Sequence, residues 1–169
     1  MFDSEILEAF KEETRQLLTE LNTVVEKLEE WDSEEFPGKL LEEFAGKVDR
    51  IMGTAKTLLE DNPTNKGLLL MGKLGELCKA TGYKAAEAKI LTLIPLFAAF
   101  WADTVEVIDL VIKCVELDDE VQKVATQSGT LLQTRLQWLA KQIVGMTQGK
   151  ESAQMSQIQV DALLKSLIV

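Results

Sequence analysis

The sequence predicts an all-α protein, an antiparallel helical bundle, and three observations carry that prediction. Apolar residues recur at helical spacing over long stretches, whereas no segment alternates apolar and polar as a half-buried strand does. Leu, Ala, Glu and Lys dominate while proline occurs only three times, a composition that favours helix. The breaks between periodic stretches are short, and short connections make consecutive helices antiparallel neighbours.

The first helix is expected from about Asp3 to Trp31. Asp3 caps it, Phe2 packs on Leu7 as a hydrophobic staple, and Ile6, Phe10, Leu17, Leu21, Val24 and Leu28 form its stripe. The stretch WDSEEFPGK connects to a second helix that opens near Pro37, a proline suited to a first turn. Its stripe is Leu40, Phe44, Val48, Ile51, Ala55 and Leu58. EDNPTNKG is a turn, followed by a third helix from Lys66 to Thr81 with Gly82 as its stop. Leu70, Leu74, Leu77 and Cys78 point inward there, and AAEAKILTL adds a further short helical piece. Pro95 starts or kinks a fourth long helix carrying Phe97, Trp101, Thr104, Ile108, Val111 and Val115. ELDDE breaks it. The last bundle helix is expected from about Asp119 to Val144, with Val124, Leu131, Leu132, Leu139 and Ile143 on its apolar face. Residues 1–144 thus make a helical bundle, 145–155 a polar linker, and 156–169 a separate amphipathic helix. As a flexible chain such a linker spans about 15–20 Å root-mean-square.

Charge and composition exclude several functions. A net charge of -10 argues against nucleic acid, which needs a basic footprint, and against an anionic membrane surface. The opening MFDSEILEAF lacks the basic and apolar regions of a secretory leader. ILTLIPLFAAFWA is the nearest approach to a membrane span, but is short and interrupted by proline. The expected location is therefore cytoplasmic. Cys78 and Cys114 fall on apolar stripes and read as buried free thiols. The chain contains no histidine, which removes Ser-His-Asp and Cys-His catalysis, most catalytic zinc and iron sites, and histidine phosphotransfer. Carboxylate runs such as LEEWDSEE read as solvated faces, so no metal site and no cofactor of the chain's own is expected. GTAKT lacks the glycine before lysine that a phosphate loop requires.

In the second helix, FAGKVDRIMGTAKTL sets Gly46, Asp49, Gly53 and Thr57 on the face opposite the apolar stripe. Each exposed helical glycine costs about 1 kcal/mol relative to alanine, which close helix approach or simple drift would equally explain. The segment resembles the signature helix of histidine phosphotransfer (HPt) domains. Arg50, Thr54 and Lys56 match that pattern, Gly53 takes the place of the phosphorylated histidine and Thr57 that of the following glycine. Ile51 and Met52 stand where the family has two small residues. The first helix is similar to the leading helix of those domains. The resemblance covers about the first 80 residues and implies an HPt-like bundle unable to carry phosphate, whose Arg50, Gly53, Thr54 and Lys56 face is left to dock on a receiver domain or a histidine kinase.

The last segment, MSQIQVDALLKSLIV, carries a capping box in Ser156 and Gln159 and a staple pair in Met155 and Val160. Val160, Leu163, Leu164, Leu167 and Ile168 make one apolar stripe. A helix this short is marginal alone in water, so the stripe is covered either by its own bundle or by a partner's groove. SQIQVDALLKSL resembles the C-terminal peptide of the CheZ family of chemotaxis phosphatases at Ser156, Gln157, Gln159, Val160, Asp161, Leu163, Leu164, Ser166 and Leu167. It is also similar to the N-terminal peptide of the FliM flagellar switch family, through Ser156, Gln157, Asp161, Ala162, Leu163 and Leu164. Both are tethered helices that bind CheY-type response regulators. The resemblance implies capture of a CheY-type receiver domain, with Val160, Leu163, Leu164 and Leu167 as apolar contacts and Asp161 paired to a basic residue.

CheZ-type phosphatases place a helical glutamine and an acid four residues earlier in the receiver's active site. Asp118 and Gln122 have that spacing, but Asp119 and Gln122 equally suit a capping box. Gln133 lies in a comparable helix with Gly129 where the acid belongs. Any Mg2+ needed for such a reaction would sit on the receiver. The expectations are therefore a receiver-binding chemotaxis or flagellar signalling protein that promotes dephosphorylation, or a non-catalytic HPt-like adaptor, with dimerisation left open.

Overall fold

In the computed structural model, residues 3–146 and Asp161–Ala162 are described. Five α-helices and one short 3-10 turn account for them, and no strand occurs among the described residues. The helices are α1 (Ser4–Glu29), α2 (Gly38–Asp61), α3 (Lys66–Ala88), α4 (Ile94–Lys113) and α5 (Asp118–Met146). They form the all-α bundle that the periodicity predicts. α1 packs on α2 and α4, and α3 packs on α2 and α4, which closes a ring of four helices. α5 lies against α3 and α4.

The core stripe of α1 is Leu7, Phe10, Thr14, Leu17, Leu21, Val24 and Leu28, spaced alternately three and four residues apart. That is the seam one helix presents to its neighbours in a bundle. Asp3 caps the helix, its carboxylate accepting from the Glu5 N–H at 3.0 Å. Ile6 falls one position out of phase and is 54% exposed, contrary to its place in the expected stripe. Phe2, and with it the staple, lies outside the described residues. In α2, Phe44, Val48, Ile51 and Ala55 are buried, while Leu40 and Leu58 pack at the edge of the core.

α3 does not stop at Gly82. It continues to Ala88 because Thr81, Ala85 and Ala88 extend the buried stripe, so core packing outweighs the local glycine signal. The helix ends instead at Lys89, whose φ of 50° places it in the left-handed region usually left to glycine or asparagine. Pro95 lies in the first turn of α4, where its missing N–H costs nothing. α5 begins one residue earlier than expected and includes Gly145 and Met146, which were expected in the linker. Leu132, Leu136, Leu139 and Ile143 are buried, but Leu131 is exposed, because α5 has neighbours on one side only.

α4 is the apolar centre. The stretch Leu91–Lys113 is long and apolar enough by length and composition to cross a membrane, contrary to the expectation from the sequence. In this fold the helix is packed by α1, α3 and α5, and Trp101, Phe97, Ile108 and Val111 are all buried. Trp101 stacks on Phe44 at 4.5 Å and donates its Nε1–H to Thr81 Oγ1 at 2.8 Å. Cys78 is fully buried and free, and burial pushes its thiol pKa up to about 12. Cys114 is free but only half-buried, less enclosed than expected.

The glycines divide by what surrounds them. A Cβ on Gly75 would lie 2.7 Å from Met52 Cβ, and one on Gly67 would lie 2.9 Å from Val115 Cγ2. These two allow α3 its close approach to α2 and to the end of α4. Gly46 and Gly53 would meet nothing within 4 Å, so close helix approach is not their explanation. Gly53→Ala is expected to stabilise the fold by about 1 kcal/mol through helix propensity alone. Gly75→Ala is expected to destabilise it by about 1–3 kcal/mol, because the stem of Met52 blocks the added methyl. Urea unfolding of both variants checks the pair; equal shifts of one sign would refute it.

Candidate functional site

The solvent face of α2 is the best-defined surface among the residues the sequence singled out. Gly46 and Gly53 lie along its middle, two turns apart. On the α1 side, Arg50 forms an ion pair with Glu13. On the α3 side, Asp49 pairs with Lys79 at 3.1 Å and Lys56 with Glu76 at 2.6 Å. Thr54 and Thr57 spend their hydroxyls on the backbone, donating to Arg50 O and Gly53 O at 3.0 Å. Arg50, Gly53, Thr54 and Lys56 lie along the solvent side of α2, with a bare backbone strip between the ion pairs to α1 and those to α3. Gly53 holds no side chain, and the hydroxyls of Thr54 and Thr57 beside it are engaged with the backbone.

Beside this strip a cleft of about 380 Å³ opens between α1 and α2, lined by Glu13, Glu20, Glu43, Lys47 and Arg50. Lys47 bridges Glu20 of α1 and Glu43 of its own helix. A second bridge ties the bundle's other end: Lys11 contacts Glu8 at 2.8 Å and Glu116 at 2.6 Å, its stem buried. The hydrogen bond that Lys11 donates to Glu116, seconded by the one it donates to Glu8, raises the Lys11 pKa above its ordinary 10.5. The hydrogen bond to Glu20 does the same for Lys47. Conversely, the hydrogen bonds from Lys11 and Lys47 hold Glu8 and Glu20 below their ordinary 4.5. The carboxylate contribution to stability is present above pH 4.5 and disappears as pH falls through the lowered values. The lysine contribution is present below pH 10.5 and disappears as pH rises through the raised values. Tm is therefore expected to be level between these limits and to drop beyond each. A Tm that climbs as pH falls below 4.5 would contradict the assignment.

The residues considered for catalysis all lie on α5. Asp118 Oδ1 accepts from the Lys66 N–H at 3.4 Å, across the junction of α3 and α5. Because α5 opens at Asp118, with the Val121 N–H donating to Leu117 O at 2.9 Å, Asp119 lies inside the first turn and not at the cap. Gln122 and Gln133 are both half-buried on α5, eleven residues apart, which is about 16 Å along a helix axis. They are alternative candidates, and Asp118 precedes Gln122 by about one helical turn. No group of three metal-ligating side chains occurs among the described residues.

Of the proposed capture helix, only Asp161 and Ala162 are described; both are helical and exposed. Val160, Leu163, Leu164 and Leu167 lie outside the described residues. Comparison with family models, curated proteins and solved structures finds no match to this chain.

Proposed function

We propose that this protein is a cytoplasmic signalling protein that captures a CheY-type receiver domain through its segment 156–169, in chemotaxis or flagellar control. The observation that carries the reading is the run from Ser156 to Leu167. There a capping box, an apolar stripe and the acid Asp161 coincide with residues shared by two families of receiver-binding peptides. The helical state of Asp161 and Ala162 accords with it. The net charge of -10 leaves protein surfaces, and not nucleic acid, as the partners.

Once the receiver is captured, the adaptor form of the reading has better support than catalysis. Asp118 accepts a hydrogen bond from the Lys66 N–H, and Gln133 has Gly129 where the acid belongs, so the acid and amide spacing rests on Asp118 and Gln122 alone. If dephosphorylation were promoted, the Mg2+ would be the receiver's own. The Arg50, Gly53, Thr54 and Lys56 face offers a second docking surface, for the same receiver or for a histidine kinase.

The test is binding of a CheY-type receiver to the chain with and without residues 155–169, alongside phosphate release from the phosphorylated receiver. Capture that survives the deletion rejects the reading. Unchanged release selects the adaptor; faster release, abolished by Gln122→Ala or Gln133→Ala, selects the phosphatase.

A further inference from the structure

The α4–α5 side of the bundle carries apolar side chains that no other described element covers. Leu110 on α4 is 42% exposed, and Leu131 and Trp138 on α5 are 45% and 49% exposed. Leu131 and Trp138 are seven residues apart, on one face of α5 two turns from each other. Arg135, between them, reaches Asp103 of α4 at 2.9 Å, so this face of α5 adjoins α4. Among the described residues, the helices that pack closely on α5 are α3 and α4.

We propose that this face is the resting seat of the chain's own segment 156–169, so that the capture helix is parked on the bundle until a receiver displaces it. The inference rests on reading that segment as a capture helix. Chain length supports the occupant. Trp138 and Leu131 lie about 12 Å and 22 Å back along α5 from Met146, at 1.5 Å per residue. Residues 147–155 reach about 30 Å when extended, enough to turn back along the helix. Fourteen helical residues measure about 21 Å, the length of the seam from Met146 to Leu131. Val160, Leu163, Leu164 and Leu167 supply an apolar stripe of the matching kind. So short a tether also holds the segment at an effective concentration of about a millimolar, which favours its own bundle over a second copy at ordinary protein levels.

The seat competes with the receiver. A stripe covered on its own bundle is withheld from the partner, and apparent affinity falls by the fraction left free. The full chain in a Trp31→Phe background reports this through Trp138, since Trp101 is buried. Replacing both leucines (Leu163→Asp with Leu164→Asp) is expected to raise iodide quenching of Trp138 about twofold, independent of protein concentration, as a half-exposed side chain is uncovered. Equal quenching in the two chains overturns the seat. Quenching that depends on protein concentration overturns it in favour of a second copy. In the receiver arm, Leu110→Asp with Leu131→Asp is expected to tighten binding about tenfold, as for a seat nine-tenths occupied, and unchanged affinity overturns the competition. If no chain binds the receiver, the capture reading fails, and the quenching result alone decides the seat.

Discussion

Trp101→Ala is expected to cost about 3–5 kcal/mol of stability, the range for losing a fully buried large aromatic. Three helices meet on this side chain. It projects from α4, stacks on Phe44 of α2 with an interplanar angle of 25°, and contacts Phe97 of its own helix at 5.7 Å. Its Nε1–H is held by Thr81 of α3, whose hydroxyl donates in turn to Leu77 O at 2.8 Å. Alanine would remove the stack, open a cavity at the bundle's centre and leave Thr81 without its donor. Since whole domains are stable by about 5–15 kcal/mol, this one change consumes much of the margin. Trp101→Phe keeps a ring for Phe44 but loses the donor, and a cost of about 1–3 kcal/mol is expected. Urea unfolding followed by circular dichroism measures both. A Trp101→Ala chain less than about 1 kcal/mol weaker would mean that the stack is not the keystone its burial implies.

The second large effect concerns binding. Leu164→Asp is expected to weaken association with a CheY-type receiver about a hundredfold, because a central apolar anchor is worth about 2 kcal/mol or more and the introduced carboxylate must be desolvated. Gly53→Glu is expected to leave that affinity within about twofold. A Cβ at Gly53 meets nothing within 4 Å, so the backbone there has room for a side chain, and glutamate places a charge between the two rows of ion pairs. The two variants therefore discriminate surfaces and not stabilities. The reverse pattern, with Gly53→Glu disruptive and Leu164→Asp silent, would move the binding site from the tail to the α2 face. Isothermal titration with each variant, after matched unfolding curves, separates the outcomes.

Much of the architecture was legible because helical periodicity is a local property. The α2 stripe of Phe44, Val48, Ile51 and Ala55 and the α4 stripe of Phe97, Trp101, Ile108 and Val111 are buried as their spacing implied. The errors cluster where burial from elsewhere decides. Gly82 reads as a stop, yet α3 runs on because Ala85 and Ala88 have a neighbour to pack against. Ile6 and Leu131 are as apolar as the residues beside them, but the neighbouring helices cover one side only. Of the α2 face, spacing placed Gly46, Asp49, Gly53 and Thr57 opposite the apolar stripe. Its ion pairs with Glu13, Glu76 and Lys79 were not legible, since each crosses between helices.

By itself the sequence determined that this protein is helical, that it has no histidine with which to carry or transfer a phosphoryl group, and that its last segment has a capping box and an apolar stripe. These properties depend on residue type and short-range spacing, which need no knowledge of neighbours. Tertiary structure alone decided that α5 is added to a ring of four helices and leaves Leu131 and Trp138 uncovered. It also decided that Gly75 is required by Met52 while Gly53 is free. The physical reason is common to both. Burial and close approach are properties of pairs of helices far apart in the chain, and a periodic stripe records that a face is apolar, not what will cover it.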